Sequence, residues 1–371
     1  MPVQYHYGQF PPQSLHWEQI IPLIGPASVA IADYGGRLSR IPNADVLLAP
    51  LTTREAVLSS KIEGTQATMG EVLEYEANDS NEKFGGERRN DIYEILNYRA
   101  AMHEAEKLLQ ELPLSQRLIR QLHRVLLSGA RGQNRSPGEY RRIPNWIGPA
   151  GCCIEDAAFI PISADKLPAG MNAWEDFIHA PFPDKLAQLA LLHVEFEALH
   201  PFLDGNGRIG RMLIPLFLWQ NGIIARPNFH ISEFFENNRA LYYENLRAVS
   251  QSGDWTAWCV FFINALGEQA RANTSKANAI LDLYEDMKDA LPKIVNSQYL
   301  IHALDGIFQT PIFSGSRYMQ ATGIPGATIR RILPLFVQNG ILKIIEPARG
   351  SRSATYAFPA LLNLAEGREV F

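Results

Sequence analysis

His200-Pro-Phe-Leu-Asp-Gly-Asn-Gly-Arg-Ile-Gly-Arg211 puts a histidine, a carboxylate, three glycines and two arginines into one short run. Gly205, Gly207 and Gly210 let the backbone turn its N–H groups inward, as in the nests that bind anions. A helix is expected to begin near Arg208, and its first N–H groups and positive dipole end would face the same point. The stretch therefore reads as a cradle for a polyphosphate beside a reacting hydroxyl.

Working outward, residues 213–219 are apolar on nearly every face, which predicts a helix buried at the centre of its domain. Pro215 fits that helix if it falls in the early turns. Helical periodicity also marks 47–62, 90–112, 114–127, 165–177 and 185–200, so the fold class expected is mainly α, with helices from about Asp45 onward. Between 131 and 163 the prolines and glycines, with the β-prone Ala158-Phe-Ile-Pro-Ile162, predict a loop and a small β-hairpin. Residues 77–86 read as an exposed polar loop. From about Ile294 a separate module is expected, with helices at 314–323 and 327–340 and strands at 341–346 and 354–358. That order is the pattern of a winged helix. Residues 311–355 carry six basic side chains (Arg317, Arg330, Arg331, Lys343, Arg349 and Arg352) against Glu346 alone, a local charge of +5.

The whole chain, at 371 residues, is long enough for two or three domains. Its apolar fraction of 46% and charged fraction of 20% argue for globular order, and its net charge of −5 gives no global pull toward nucleic acid or membrane. Cys152, Cys153 and Cys259 match no zinc spacing. Reduced thiols and the lack of a signal-peptide pattern predict a cytoplasmic protein, and no apolar run predicts a membrane span.

Each residue of the cradle has its own chemistry. His200 lies at a helix end, where Pro201 should push the backbone out of the α region and leave the imidazole at the mouth of the turn. A histidine there suits general-base work on a hydroxyl. Asp204 can share Mg2+ with substrate phosphates, or cap the following helix. Arg208 and Arg211 share a helical face and match phosphate oxygens. A rival reading takes His193, Glu197 and His200 as metal ligands on one face, although the spacing is not H-E-x-x-H.

These residues resemble the Fic family, whose signature H-x-F-x-[DE]-G-N-G-R-x-x-R is filled by His200, Phe202, Asp204, Gly205, Asn206, Gly207, Arg208 and Arg211. Pro137-Gly138-Glu-Tyr-Arg141 and Ala158-Phe-Ile-Pro resemble segments flanking that family's β-hairpin flap, and the likeness spans about residues 45–270. The resemblance implies transfer of AMP from ATP, with Mg2+, to a Ser, Thr or Tyr hydroxyl of a protein. His200 would be the base, Asp204 the metal ligand, and Gly205, Asn206 and Gly207 the anion hole. Arg208 and Arg211 would hold the β and γ phosphates, and Phe202 would anchor the loop. Tyr242 and Tyr243 stand where some members line the nucleotide pocket, with core packing as the other reading; Asn245 and Ser250 are further adenosine candidates. Gly207, where a phosphorylating toxin branch carries lysine, favours adenylylation; phosphocholine transfer is the other outcome the motif permits.

Ser59-Ser-Lys-Ile-Glu63-Gly64 resembles the family's inhibitory motif [ST]-x-x-x-E-[GN]. Gly64 should end a helix whose last turn carries Glu63 against the dipole, and Ser59 one turn earlier is expected to steady the carboxylate. By the resemblance Glu63 pairs with Arg211 and displaces the γ phosphate. In some relatives such a glutamate also orients a water that removes AMP. The expected organisation is an N-terminal helical region with the inhibitory helix (1–110), a Fic catalytic domain (111–275) and a winged helix (285–371). Expected partners are a hydroxyl-bearing protein, the chain itself included, a second copy as a homodimer, and no membrane. The alternative function is a nucleotide-sensing regulator that binds DNA through the winged helix.

Overall fold

The structure, a computed structural model, describes residues 1–41, 43–78, 83–129, 133–149, 151–350 and 352–371. In chain order the helices are α1 (Trp17–Leu38), α2 (Ala44–Leu47), α3 (Ala49–Ile62), α4 (Met69–Ala77), α5 (Gly86–Leu108), α6 (Gln116–Leu126), α7 (Leu167–His179) and α8 (Lys185–Leu199). They continue as α9 (Asn206–Gln220), α10 (Ser232–Asn237), α11 (Arg239–Ser252), α12 (Trp255–Ile294), α13 (Leu300–Gln309), α14 (Gly315–Thr322), α15 (Gly326–Gln338) and α16 (Pro359–Glu366). The strands are short: β1 (Val3–Gln4), β2 (Phe159–Ile160), β3 (Ile312–Ser314), β4 (Lys343–Glu346) and β5 (Thr355–Ala357). The protein is mainly α, as its periodicity predicts.

One unit gathers Met1–Gly35, Leu58–Gly64 and Leu96–Arg271. Its centre is α8 packed on α9. Asp184 starts α8 by accepting from the N–H groups of Leu186 and Ala187, both at 2.9 Å. Every α9 residue from Asn206 to Leu218 is buried, which explains why its sequence is apolar on all sides. Pro215 lies past the middle of α9, not in its early turns, and deprives the Arg211 carbonyl of its helical N–H partner. Burial on all faces holds the helix through that defect.

Two elements of this unit escape a local reading. Helix α1 contains Pro22, Pro26 and three glycines, so propensity argues against it, yet Ile20, Ala27, Ala30, Ile31 and Tyr34 form one buried face. Strand β1 pairs in parallel with β2 through Val3–Phe159 and Gln4–Ile160. The expected hairpin survives as one antiparallel bridge between Ile147 and Phe159, and β1 supplies the second partner. Next to β1, Tyr5 Oη donates to Glu195 at 2.6 Å and His6 bridges Glu195 and Ser250, at 2.7 Å to each.

The second unit comprises Gly36–Val57, Thr65–Ile95 and Ala272–Phe371. Its sheet runs β3-β5-β4, antiparallel throughout. Helices α14 and α15 and strands β4 and β5 fall where the sequence pattern puts them, while β3 was not expected: three residues are too few to show an alternation. A reciprocal capping box between Thr68 and Glu71 starts α4, which packs beside β3, and α2 packs beside α13. Within 77–86, residues 79–82 lie outside the described residues, and Ala77 and Phe84 are buried rather than exposed. Arg330 and Arg331 on α15, and Lys343, Arg349 and Arg352 around β4 and β5, are exposed.

Candidate functional site

His200 caps the C-terminus of α8 with φ 45° and ψ 60°, a left-handed conformation rather than the extended one that Pro201 suggests. Such a conformation costs a non-glycine residue about 1–3 kcal/mol unless its surroundings enforce it. Arg141 does so. Buried at 3% exposure, its Nε donates to the His200 carbonyl at 2.9 Å, and Nη2 donates to the Leu199 carbonyl at 3.2 Å and to that of Ile162. Arg141→Ala should therefore lower stability by about 2–4 kcal/mol, since it strands several buried carbonyls. Urea unfolding would measure this, and a loss below about half a kcal/mol would count against the role.

The loop after His200 is tied down by a second buried group. His123 Nδ1 accepts the Gly138 N–H at 2.8 Å, so Nε2 carries the proton and donates to the Asp204 carbonyl at 2.9 Å. Burial holds this imidazole down at about 4, hence neutral. Its ring stacks on Phe202 at 3.7 Å. Asn206 turns its amide inward, accepting from Phe202 N–H at 2.7 Å and donating to Phe202 C=O at 2.9 Å. Its side chain therefore fastens the loop, leaving only its backbone N–H for an anion. Gly205 is the N-cap of α9 at φ 79°. Asp204 does not cap that helix as an N-cap residue; its Oδ1 accepts from Gly205 N–H at 2.6 Å and from Arg208 Nη2 at 3.2 Å.

Arg211 is buried at 1% exposure, which excludes a solvated face as its purpose. Its Nη2 meets Glu63 Oε1 at 2.7 Å and the Ser59 carbonyl at 2.7 Å, and its Nε donates to Ser59 Oγ at 2.9 Å. Ser59 thus steadies the arginine and not, as the motif suggests, the glutamate. Burial pushes the Glu63 carboxyl up, but the adjacent Arg211 outweighs it and the net shift is downward, so the pair is ionic. A methyl group on Gly207 would overlap Glu63 Oε1, so this glycine is what admits the carboxylate. The end of α3 is held in turn by α11: Arg239 Nη2 and, at 3.4 Å, Tyr243 Oη donate to the Ile62 carbonyl. Gly64 closes the turn at φ 103°.

One cavity of about 510 Å³ is lined by His200, Glu63, Arg211, Tyr242, Tyr243 and Glu197 among others. His200 Nδ1 faces the Glu197 carbonyl at 3.3 Å; a carbonyl only accepts, so Nδ1 carries the proton and Nε2 keeps its lone pair. Burial lowers this imidazole to about 4, so it is a neutral base at physiological pH. Tyr242 is buried and donates to His193 Nε2 at 2.8 Å, while His193 Nδ1 donates to the Gly210 carbonyl at 3.1 Å. Both nitrogens of His193 are thus occupied, and among the described residues no cluster of three His, Cys, Asp or Glu could hold a metal, which removes the His193–Glu197–His200 reading. Asn245 bonds to its own helix and Ser250 to His6, so neither adenosine candidate reaches the cavity.

A family model described as Fic/DOC family N-terminal matches residues 21–107, and one described as Fic/DOC family matches residues 113–218. This chain belongs to the Fic family. A curated relative named protein adenylyltransferase Fic, from Drosophila willistoni, is 25% identical to this Fic chain over 213 residues, 55% of this chain and 37% of the relative. A second of that name, from Nematostella vectensis, is 33% identical over 90 residues, 24% of this chain and 20% of the relative. The chain therefore spans well under half of the curated relatives it matches. A solved Fic family protein from Desulfovibrio desulfuricans covers 94% of this chain and 98% of its own, with TM-score 0.59 and 20% identity. A Fic domain containing signaling protein from Bacteroides thetaiotaomicron covers 71% of this chain and 97% of its own, with TM-score 0.54 and 21% identity. At that identity both show a shared Fic fold.

The sequence reading of this Fic site missed His123 and Arg239, and cited Arg141 only as part of a flap-like segment. All three work on backbone atoms of residues far away in the chain. Arg141 did carry a signal, an arginine beside the Pro137-Gly138 turn, but no spacing rule connects it or His123 to His200. Among the described residues no helix is long and apolar enough to cross a membrane, and Cys152, Cys153 and Cys259 are free cysteines outside any disulfide.

Proposed function

We propose that this protein moves AMP from ATP onto a Ser, Thr or Tyr hydroxyl of a protein, and that Glu63 holds the reaction off until it is displaced. The observation that carries the reading is the Glu63–Arg211 ion pair inside a complete Fic loop. One buried guanidinium meets a carboxylate at the point where the motif expects a phosphate. In the proposed reaction His200 Nε2 takes the hydroxyl proton as the oxygen attacks the α-phosphorus. The bond to the bridging oxygen breaks, and diphosphate leaves. The first-turn N–H groups and dipole of α9 stabilise the charge that develops, and Arg208 and Arg211 hold the departing phosphates.

Asp204 fits a magnesium role, because its side chain is 46% exposed and only Oδ1 is engaged by the protein. One carboxylate shared with substrate phosphates is how Mg2+ is commonly held, and the ion would neutralise phosphate charge there. Tyr243 at the cavity mouth and buried Tyr242 behind it would bound the nucleoside. Mass spectrometry of the Glu63→Gly protein after incubation with Mg2+ and mixed nucleotides tests the whole reading. Addition of AMP is the expected result; a different added group, phosphocholine included when its donor is supplied, would replace it.

The exposed Arg330, Arg331, Arg349 and Arg352 favour a second role, in which α14, α15 and the β4–β5 wing form a winged helix that binds duplex DNA. Residues 285–371 share a unit with Gly36–Val57 and Thr65–Ile95, so the full chain is the proper material. Duplex affinity that falls steeply with salt, and falls further in an Arg330→Ala, Arg331→Ala protein, is the expected outcome. Binding that ignores both would point to protein contacts instead.

A further inference from the structure

Glu197, one turn before His200 on α8, is a carboxyl that the transfer chemistry does not use. It opens into the cavity beside Glu63 and Arg211, yet its Oε1 is buried without a hydrogen-bond partner. It also lies so close over α9 that a methyl on Gly210 would overlap that oxygen. Gly210 thus makes room for the Glu197 carboxyl as Gly207 makes room for that of Glu63. Arg211 commits Nε and Nη2 to Ser59 and Glu63 and makes no ion pair with Glu197. An ionised carboxylate left unpaired in that position would cost far more than a neutral acid, which loses only the hydrogen bonds of an uncharged group.

We propose that Glu197 is a positioning residue of the transfer site that works as a neutral acid, filling the space over Gly210 without claiming Arg211. The guanidinium's whole charge then goes to Glu63 at rest and to the nucleotide's phosphates during reaction. This rests on the nucleotide-binding reading above. Burial pushes the Glu197 carboxyl up to about 8, with Arg211 drawing it down and Glu63 raising it. The groups facing it are Arg211 from α9, Glu63 after α3, Tyr242 and Tyr243 from α11, and His193 and His200 on α8 itself. Burial holds the two imidazoles at about 3 and about 4, Tyr243 at about 12 and Tyr242 well above the usual tyrosine range. Glu197 is therefore the group of this set that changes charge near pH 8.

Phosphates arriving beside Glu197 raise its affinity for a proton, so the protonated site binds nucleotide better, and binding above the midpoint draws a proton from solution. Calorimetry of a non-hydrolysable ATP analogue with Mg2+ binding to the Glu63→Gly chain, in two buffers of different ionisation enthalpy across a series from about pH 6 to about pH 9, reads this directly, the series following the midpoint downward because loss of Glu63 removes a charge that raises Glu197. Uptake approaching one proton per nucleotide is expected, with affinity weakening by up to about tenfold per pH unit on the alkaline side. The Glu63→Gly, Glu197→Gln protein should show neither the uptake nor the alkaline weakening. No uptake by Glu63→Gly, or uptake that persists in the Glu63→Gly, Glu197→Gln protein, would overturn the inference while leaving nucleotide binding intact. No nucleotide binding at all would overturn both.

Discussion

Glu63→Gly is expected to raise transfer of AMP, to the protein itself or to a target, by on the order of 10- to 1000-fold. The size follows from the ion pair: losing one partner of a partly buried charge pair shifts an equilibrium by about 2–4 kcal/mol, and each 1.4 kcal/mol is tenfold. The fold should be little disturbed. Glu63 is 34% exposed at its side chain and sits beyond the last residue of α3, whereas Arg211 keeps its two bonds to Ser59 after the carboxylate is gone. Arg211 would then remain ordered, charged and open to phosphate. Glu63→Gln should fall between the two proteins, since an amide oxygen still accepts a hydrogen bond without the charge. Labelled ATP and mass spectrometry provide the measurement; equal low activity in all three proteins would remove Glu63 from control of the site.

In the Glu63→Gly background, His200→Ala should lower transfer by about 10²–10⁴-fold, the usual contribution of a positioned general base. Nucleotide affinity should change little, because the groups proposed to hold the phosphates lie on α9 and His200 on the turn before it. The neutral base exists at pH values above its lowered value of about 4 and is lost below it. On the acid side, transfer at saturating nucleotide should therefore hold through neutral pH and fall only on strong acidification. A histidine with its ordinary range would instead lose activity near about pH 6.5. A His200→Ala protein that transfers AMP at the parent rate would show that another group takes the proton.

Much of this site is legible in the sequence because its residues lie close together in the chain. The glycines of the cradle, the arginines one helical turn apart and the acid between the histidine and the first arginine form a pattern that local geometry alone demands. The all-apolar run after Arg211 likewise points to a central helix, and α9 is buried from Asn206 to Leu218. Ser59 shows where such reading stops. Its place in the motif is plain, yet its partner is Arg211 rather than Glu63, because the direction of a side chain depends on what packs against the helix. Helix α1 and strand β1 stay hidden for a related reason: prolines and glycines lower local propensity, and burial against distant residues restores the element.

By itself the sequence determined the family and the mainly helical class, and it marked residues 200–211 as the candidate site, since these depend on composition, periodicity and short spacings. Tertiary structure alone decided which groups meet. It brought Glu63 to Arg211 across 148 positions, set Arg141 and His123 on the carbonyls of the cradle, and left Glu197 buried over Gly210 without a partner. The physical reason is that charge pairing, desolvation and protonation are properties of a neighbourhood. Folding builds that neighbourhood from segments whose separation along the chain carries no local signal.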